Sequence, residues 1–191
     1  MDIILVGFGV VGQGFAKILV DKAQQLEQTV GFMPRIIGVV TGSKGTLYHP
    51  NGLDIDRLLG GVMAYPDVDG LVRDLSAQEM IAEMPADVIV EVSPTNLETA
   101  QPALDYCRLA LDNGKHVVLA NKGPVALAFH ELAGKAKVNE LELRCEATVM
   151  AGTPTMQLAQ EALAGCDIIE ARGILNGTTN YILTQMELGM S

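Results

Sequence analysis

The sequence predicts an α/β fold with a doubly wound, mostly parallel sheet. Strand-like and helix-like segments alternate over about residues 1-150, and a glycine-rich turn, G-F-G-V-V-G, joins the first strand directly to the first helix. A length of 191 residues and 49% hydrophobic content suit one good core, or one domain with part of another. The texture changes near Ala147, and Ala151-Gly152-Thr153-Pro154 breaks the alternation. The expected organisation is therefore a Rossmann-type domain over 1-150 and a second, smaller unit over 151-191.

Ile3-Ile4-Leu5-Val6 reads as a buried first strand. A helix from about Val10 to Glu27 follows, placing Val11, Phe15, Ile18, Leu19, Lys22 and Leu26 on one face, a period interrupted only by Lys22. The second strand is Met33 to Val40, and a loop rich in Gly, Ser, Asn and Pro runs from Thr41 to about Gly52. Ser76-Ala77-Gln78-Glu79 is a capping box for a short helix ending before Pro85. Asp87 to Val92 is the third strand, and Glu98 to Asn113 a helix closed by Gly114. His116 to Ala120 is the fourth strand, Pro124 suits the first turn of the next helix, and Leu141 to Cys145 alternates as a fifth strand. Beyond the break, a helix runs to about Leu163 and Asp167 to Leu175 reads as another strand.

Composition narrows the function. A net charge of -10 argues against nucleic acid or an anionic membrane as partner. No apolar run approaches a membrane span, and the N-terminus lacks the basic region of a signal peptide, so a cytoplasmic location is expected. Cys107, Cys145 and Cys166 form no CxxC pair or zinc pattern and read as buried reduced thiols. His49, His116 and His130 have no metal spacing; His116 reads as a strand residue with one satisfied nitrogen and His130 as a helix-surface residue.

Ligands of doubly wound sheets bind beyond the carboxyl ends of the strands. Three segments meet that rule: the Gly7 turn, Ser93-Pro94-Thr95-Asn96 and Ala120-Asn121-Lys122-Gly123-Pro124. In the first, Gly7 permits the tight turn, Gly9 admits a pyrophosphate close to the backbone, and Gly12 lets helix and strand pack. The helix N-terminus then faces the phosphates, which implies a dinucleotide cofactor. A carboxylate after the second strand would read the ribose hydroxyl of NAD. Here Thr41, Ser43 and Lys44 stand there instead, which points to NADP, with NAD as the alternative and a merely solvated Lys44 as the plain reading. Lys122, at the carboxyl edge where a nicotinamide would sit, is placed to donate to a carbonyl oxygen or to position substrate. Glu146, followed by a bend of exposed carbonyls, suits a hard cation, although a strand-end Glu is more often just solvated.

G-F-G-V-V-G-Q-G, A-N-K-G-P, E-A-T-V-M-A-G-T-P and G-I-L-N-G-T-T-N-Y-I-L together closely resemble homoserine dehydrogenases from Ile3 to about Met186. The last motif is the specific one; the first is shared by many dehydrogenases. The resemblance implies NAD(P)-linked interconversion of L-aspartate 4-semialdehyde and L-homoserine, in threonine and methionine synthesis. It also implies that Phe8, Val10 and Val11 line the cofactor, that Ser93 lies near the nicotinamide, and that Lys122 contacts cofactor and substrate. Glu146 with the carbonyls of Val149, Ala151 and Thr153 matches the family's sodium site, and Gly177 and Thr178 would lie beside the amino-acid substrate.

The family pattern continues past G-T-T-N-Y into a G-Y-A-E-like segment, an Asp-rich stretch and a second lysine. The resemblance therefore implies an N-terminal portion or a shortened relative, with 151-191 the beginning of a smaller α+β catalytic or dimerisation domain and with weak or no activity expected of this stretch alone. Two readings follow: an oxidoreductase, or a cofactor-binding relative without catalysis in a regulatory or scaffolding role. Asp167 to Leu175 reads as a strand with few partners, so a homodimer joined partly through it is expected.

Overall fold

The strand β1 (Asp2–Val6) buries four consecutive side chains, as a strand covered on both faces must. It pairs in parallel with β2 (Arg35–Val40) on one side and β5 (Val88–Glu91) on the other. β6 (His116–Leu119) and β7 (Leu143–Arg144) continue the parallel part. β3 (Thr46–Tyr48) and β4 (Val72–Arg73) are antiparallel additions, giving the seven-stranded order β4-β3-β2-β1-β5-β6-β7. The structure, a computed structural model, describes residues 1–190; these divide into two units, Met1–Arg144 and the residues from Cys145 onward.

The sheet has the predicted doubly wound core with an antiparallel edge. That edge corrects the expected loop at 41–52, because Thr46, Leu47 and Tyr48 are all buried and pair with β2. The Thr46 hydroxyl donates to the Leu75 carbonyl at 2.9 Å. The fifth predicted strand shortens to β7.

The helix expected over 10–27 is two. α1 (Val10–Asp21) ends at Lys22, whose backbone leaves helical geometry at φ -110 and ψ 12, and α2 (Ala23–Val30) begins beyond it. α2 has no fully buried residue and packs on the core only through the partly buried Leu26. α3 (Ile55–Leu59) is capped by Asp54, and α4 (Ala77–Glu83) carries the predicted reciprocal capping box of Ser76 and Glu79. α5 (Ala103–Asp112) starts later than Glu98: Ala100 stands at φ +57, outside right-handed helical geometry, and Pro102 is the N-cap. The Glu98 and Thr99 N–H groups donate instead to Asn96 Oδ1. Gly114 follows α5 at φ +71, as predicted, and α6 (Lys122–Val138) holds Pro124 in its first turn and kinks at Ala128. His116 Nδ1 accepts the Glu142 N–H at 2.9 Å, His130 is exposed, and Cys166, unlike Cys107 and Cys145, is exposed too.

One core cluster joins Ile3, Leu5, Val39 and Val90 of the sheet to Ala16 and Leu19 of α1 and Leu58 of α3. Alternating with them, Ile4 and Ile89 are fully buried, as are Met80 and Ile81 of α4 and Leu111 of α5. Gly38 is needed here: a Cβ on it would lie 2.9 Å from Met80 Sδ.

The second unit contains a 3-10 turn at Glu146–Thr148, α7 (Thr155–Gln157) running into a π-helical turn at Leu158–Ala162, and α8 (Gly177–Glu187). Asp167 to Leu175, expected as a strand, is irregular. A strand exists by its ladder, and among the described residues none pairs with this segment; Ile169 is 97% exposed.

Candidate functional site

A cleft of about 800 Å³ opens at the carboxyl ends of β1, β2 and β5. Its walls are the turn 7–11, the loop 41–44 and the Ser93-Pro94 segment, with Ser76, Gln78 and Tyr106 completing it. The Gly7 N–H donates to Val40 O at 2.8 Å and the Val92 N–H to Val6 O at 2.8 Å, so the sheet ladder sets the turn's position.

The three glycines divide their tasks. Gly7 has φ +104, and a Cβ there would meet the Val92 carbonyl carbon at 2.7 Å. A Cβ on Gly12 would sit 2.5 Å from Gly7 O, so α1 could not approach the turn. Gly9 faces open space, with nothing within 4 Å of a Cβ. It is also the N-cap of α1 and offers no side chain to the first-turn N–H groups. Val10 and Val11 behind it are 90% and 54% exposed, whereas Phe8 is buried. Open backbone donors and an apolar cleft floor fit a nicotinamide dinucleotide.

At the opposite wall, Thr41 closes its loop on itself. Its hydroxyl donates to Gly45 O at 2.8 Å and accepts the Lys44 N–H at 2.8 Å. Ser43 and Lys44 remain exposed on the rim.

The loop after β5 is braced from below and from the side. Asn121 caps α6 by accepting the Gly123 N–H at 3.0 Å, and its Nδ2 lies 3.2 Å from Ser93 O and 3.3 Å from Ser93 Oγ. Next to it Lys122 is exposed; its N–H donates to the Thr95 hydroxyl at 3.4 Å, and its side chain is not part of the cleft wall. Beneath the loop Glu91 is fully buried, its Oε1 accepting the Ser93 N–H at 3.1 Å. Burial pushes the Glu91 carboxyl above the usual range, with hydrogen bonds from Ser93 and Asn121 opposing it. Burial, and then the charge of Glu91, push the Tyr106 hydroxyl and the Cys107 thiol up. The sequence reading places Asn121 in a segment at the carboxyl edge but gives no role of their own to Glu91, Asn121 or Tyr106. An acidic residue closing an apolar strand, and an Asn just before a Pro-bearing helix start, were the available signals.

In the second unit both Glu146 oxygens accept N–H groups, from Met156 at 3.0 Å and Gln157 at 2.8 Å, so the carboxylate serves the start of α7. The bend between holds Met150 and Ala151 at φ +56 and +51, a left-handed pair without glycine. Thr153 O accepts the Thr155 N–H at 2.7 Å. Gly177 and Thr178 form the exposed first turn of α8, capped by Asn176 Oδ1 on the Thr179 N–H at 2.9 Å.

Comparison with known proteins separates this glycine turn from the many it resembles. The family model described as "Homoserine dehydrogenase, NAD binding domain" matches residues 7–146, and that described as "Homoserine dehydrogenase" matches 154–191. The chain belongs to the homoserine dehydrogenase family. A homoserine dehydrogenase of Methanocaldococcus jannaschii is 44% identical over 98% of this chain and 56% of its own length. An NAD(+)-dependent homoserine dehydrogenase of Pseudomonas canavaninivorans is 40% identical over 97% of this chain and 54% of its own. The chain thus spans about half the length of the relatives it matches. Among solved structures, a hyperthermophilic archaeal homoserine dehydrogenase in complex with NADPH superposes with TM-score 0.83 at 29% identity, covering 100% of this chain and 57% of that one. The homoserine dehydrogenase of Thermoplasma acidophilum gives 0.81 at 26% identity, with 100% and 57% covered. Residues 7–146 thus form the family's NAD-binding domain, and among the described residues no helix is long and apolar enough to cross a membrane.

Proposed function

We propose that the protein interconverts L-homoserine and L-aspartate 4-semialdehyde, with a nicotinamide dinucleotide as hydride carrier. The observation that carries this reading is the cleft at the carboxyl ends of β1, β2 and β5, lying within the stretch matched by the family's NAD-binding model. The second match, over the G-I-L-N-G-T-T-N-Y segment, favours it over a cofactor-binding relative without catalysis.

The dinucleotide, when bound, supplies the hydride. Gly7, Phe8, Gly9, Val10, Val11 and Gly12 would hold its pyrophosphate side, the backbone N–H groups at the start of α1 acting as donors. Ser43 and Lys44 would receive the 2′-phosphate of NADP, and Thr41 would keep their loop closed. Ser93 would stand by the nicotinamide. Lys122 would touch cofactor and substrate, its ammonium donating to the substrate oxygen as charge develops there. Gly177 and Thr178 would offer the N–H groups of α8's first turn to the amino acid's carboxylate.

A sodium ion would use Glu146 with the carbonyls of Val149, Ala151 and Thr153. One formal charge plus neutral carbonyls suits a hard monovalent cation, and each Glu146 oxygen retains a lone pair beyond its N–H bond. The left-handed Met150-Ala151 bend supports the same reading. The proposal also takes the protein as a cytoplasmic homodimer with no nucleic-acid partner, supported by the exposed Ile168 and Ile169 and by the net charge.

The test is NADPH oxidation on adding aspartate semialdehyde, and the reverse with homoserine. Loss of both on Lys122→Ala with NADPH binding retained is the expected result. Turnover within about twofold of the unsubstituted protein would overturn Lys122's role, because a lost acid or electrophile ordinarily costs far more.

A further inference from the structure

Between β5 and α5 lies a carboxyl group that none of these roles uses. Glu91 is 0% exposed, and its Oε2 has no hydrogen-bond partner. The groups that act on it are Ser93 and Asn121, and it acts in turn on Tyr106 and Cys107 of α5; no cation is among them. A buried carboxyl lacking a counter-charge is unfavourable, and an apolar side chain would pack there at less cost. What an apolar side chain would not supply is an acceptor for the Ser93 N–H. Ser93 receives that bond from below and those of Asn121 from the side, while Asn121 fixes Gly123. One hydrogen-bonded chain, Glu91–Ser93–Asn121–Gly123, therefore joins the end of β5 to the first turn of α6. Ser93 stands on the cleft wall and Lys122 lies within that turn.

We propose that Glu91 is a positioning residue for the nicotinamide end of the cleft: its carboxyl fixes the Ser93 backbone and, through Asn121, the helix start that carries Lys122. This rests on the dinucleotide reading of the cleft. Low solvent access favours the protonated carboxyl, in which Oε1 still accepts from Ser93.

The experiment measures affinity for two probes, NADPH and its adenine half, adenosine 2′,5′-bisphosphate, in the unsubstituted protein, Glu91→Leu and Glu91→Gln. Glu91→Leu should weaken NADPH about tenfold and the adenine half by less than about twofold, as loss of a supporting contact does to a positioned group. Glu91→Gln, which keeps the acceptor, should restore NADPH binding to within about twofold. Unchanged NADPH affinity in Glu91→Leu, or equal weakening of both probes, would overturn the proposal. If Glu91→Leu fails to fold, Glu91→Met, closer in shape and equally without an acceptor for Ser93, takes its place: selective weakening of NADPH supports the proposal, and unchanged affinity or equal weakening of both probes overturns it. Failure of the unsubstituted protein to bind NADPH at all would overturn the dinucleotide reading instead.

Discussion

Asn121 fastens α6 to Ser93: the same amide accepts the Gly123 N–H through Oδ1 and donates to Ser93 O and Oγ through Nδ2. Asn121 is 2% exposed, so water does not replace those bonds readily. Asn121→Ala should cost about 2 kcal/mol, roughly 1 from the lost helix cap and 1 from the hydrogen bonds to Ser93. Urea unfolding checks this; a loss below about 0.5 kcal/mol would show that the bonds contribute nothing net.

The glycine turn separates folding from binding. Gly7→Ala and Gly12→Ala should each destabilise by about 2 kcal/mol or more, since their Cβ atoms would fall 2.7 and 2.5 Å from backbone atoms. Gly9→Ala, with open space around it, should leave stability within about 0.5 kcal/mol yet weaken NADPH about tenfold. Thermal unfolding and calorimetry on the three variants test the split. Destabilisation by Gly9→Ala comparable to the other two would refute it.

Lys44 decides cofactor choice if the rim of the 41–44 loop reads a phosphate. NADPH should bind more tightly than NADH, and Lys44→Ala should weaken NADPH about tenfold while leaving NADH alone, the size expected of one partly exposed charge pair. Equal affinities in the unsubstituted protein, or an equal loss for both cofactors, would count against it.

Stability should carry the signature of Glu91. Its folded-state pKa lies above the unfolded value of 4.5, so the folded protein holds the proton more tightly. Its contribution is complete below 4.5 and is lost as pH rises through the folded value. Glu91→Gln should therefore gain on the unsubstituted protein as pH rises from 4.5 toward neutrality and beyond, with the gap smallest at the acid end. Denaturant melts across pH would show it; a constant gap would mean that Glu91 ionises normally.

The sequence displays the parallel core plainly. Unbroken apolar runs at Ile3–Val6 and Val88–Val90 and the glycine spacing each have one physical reading, and the structure has the strands and turn they predict. Local chemistry also reads well where it is self-contained, as in the Ser76–Glu79 capping box. What escapes is what depends on distant partners. Thr46–Tyr48 sits among turn-forming residues and becomes a strand only because β2 offers it an edge. Asp167 to Leu175 has strand composition but finds no ladder. At the site, Gly7 and Ser93 declare themselves by motif and position, whereas Glu91 and Asn121 matter through contacts that no linear spacing encodes.

The brace at Ser93 and the glycine turn have a consequence for how the chain matures. β2 and β3 meet across a short connection, but β1 meets β5 only by joining residues such as Asp2 and Asp87, 85 positions apart. Closing so long a loop is slow, and local hairpins form ahead of it. Gly7 takes its place against Val92 and Ser93 only after that closure. Capture of a dinucleotide is then a timer for the last long-range step, and appearance of binding during refolding should trail the formation of helices rather than accompany it.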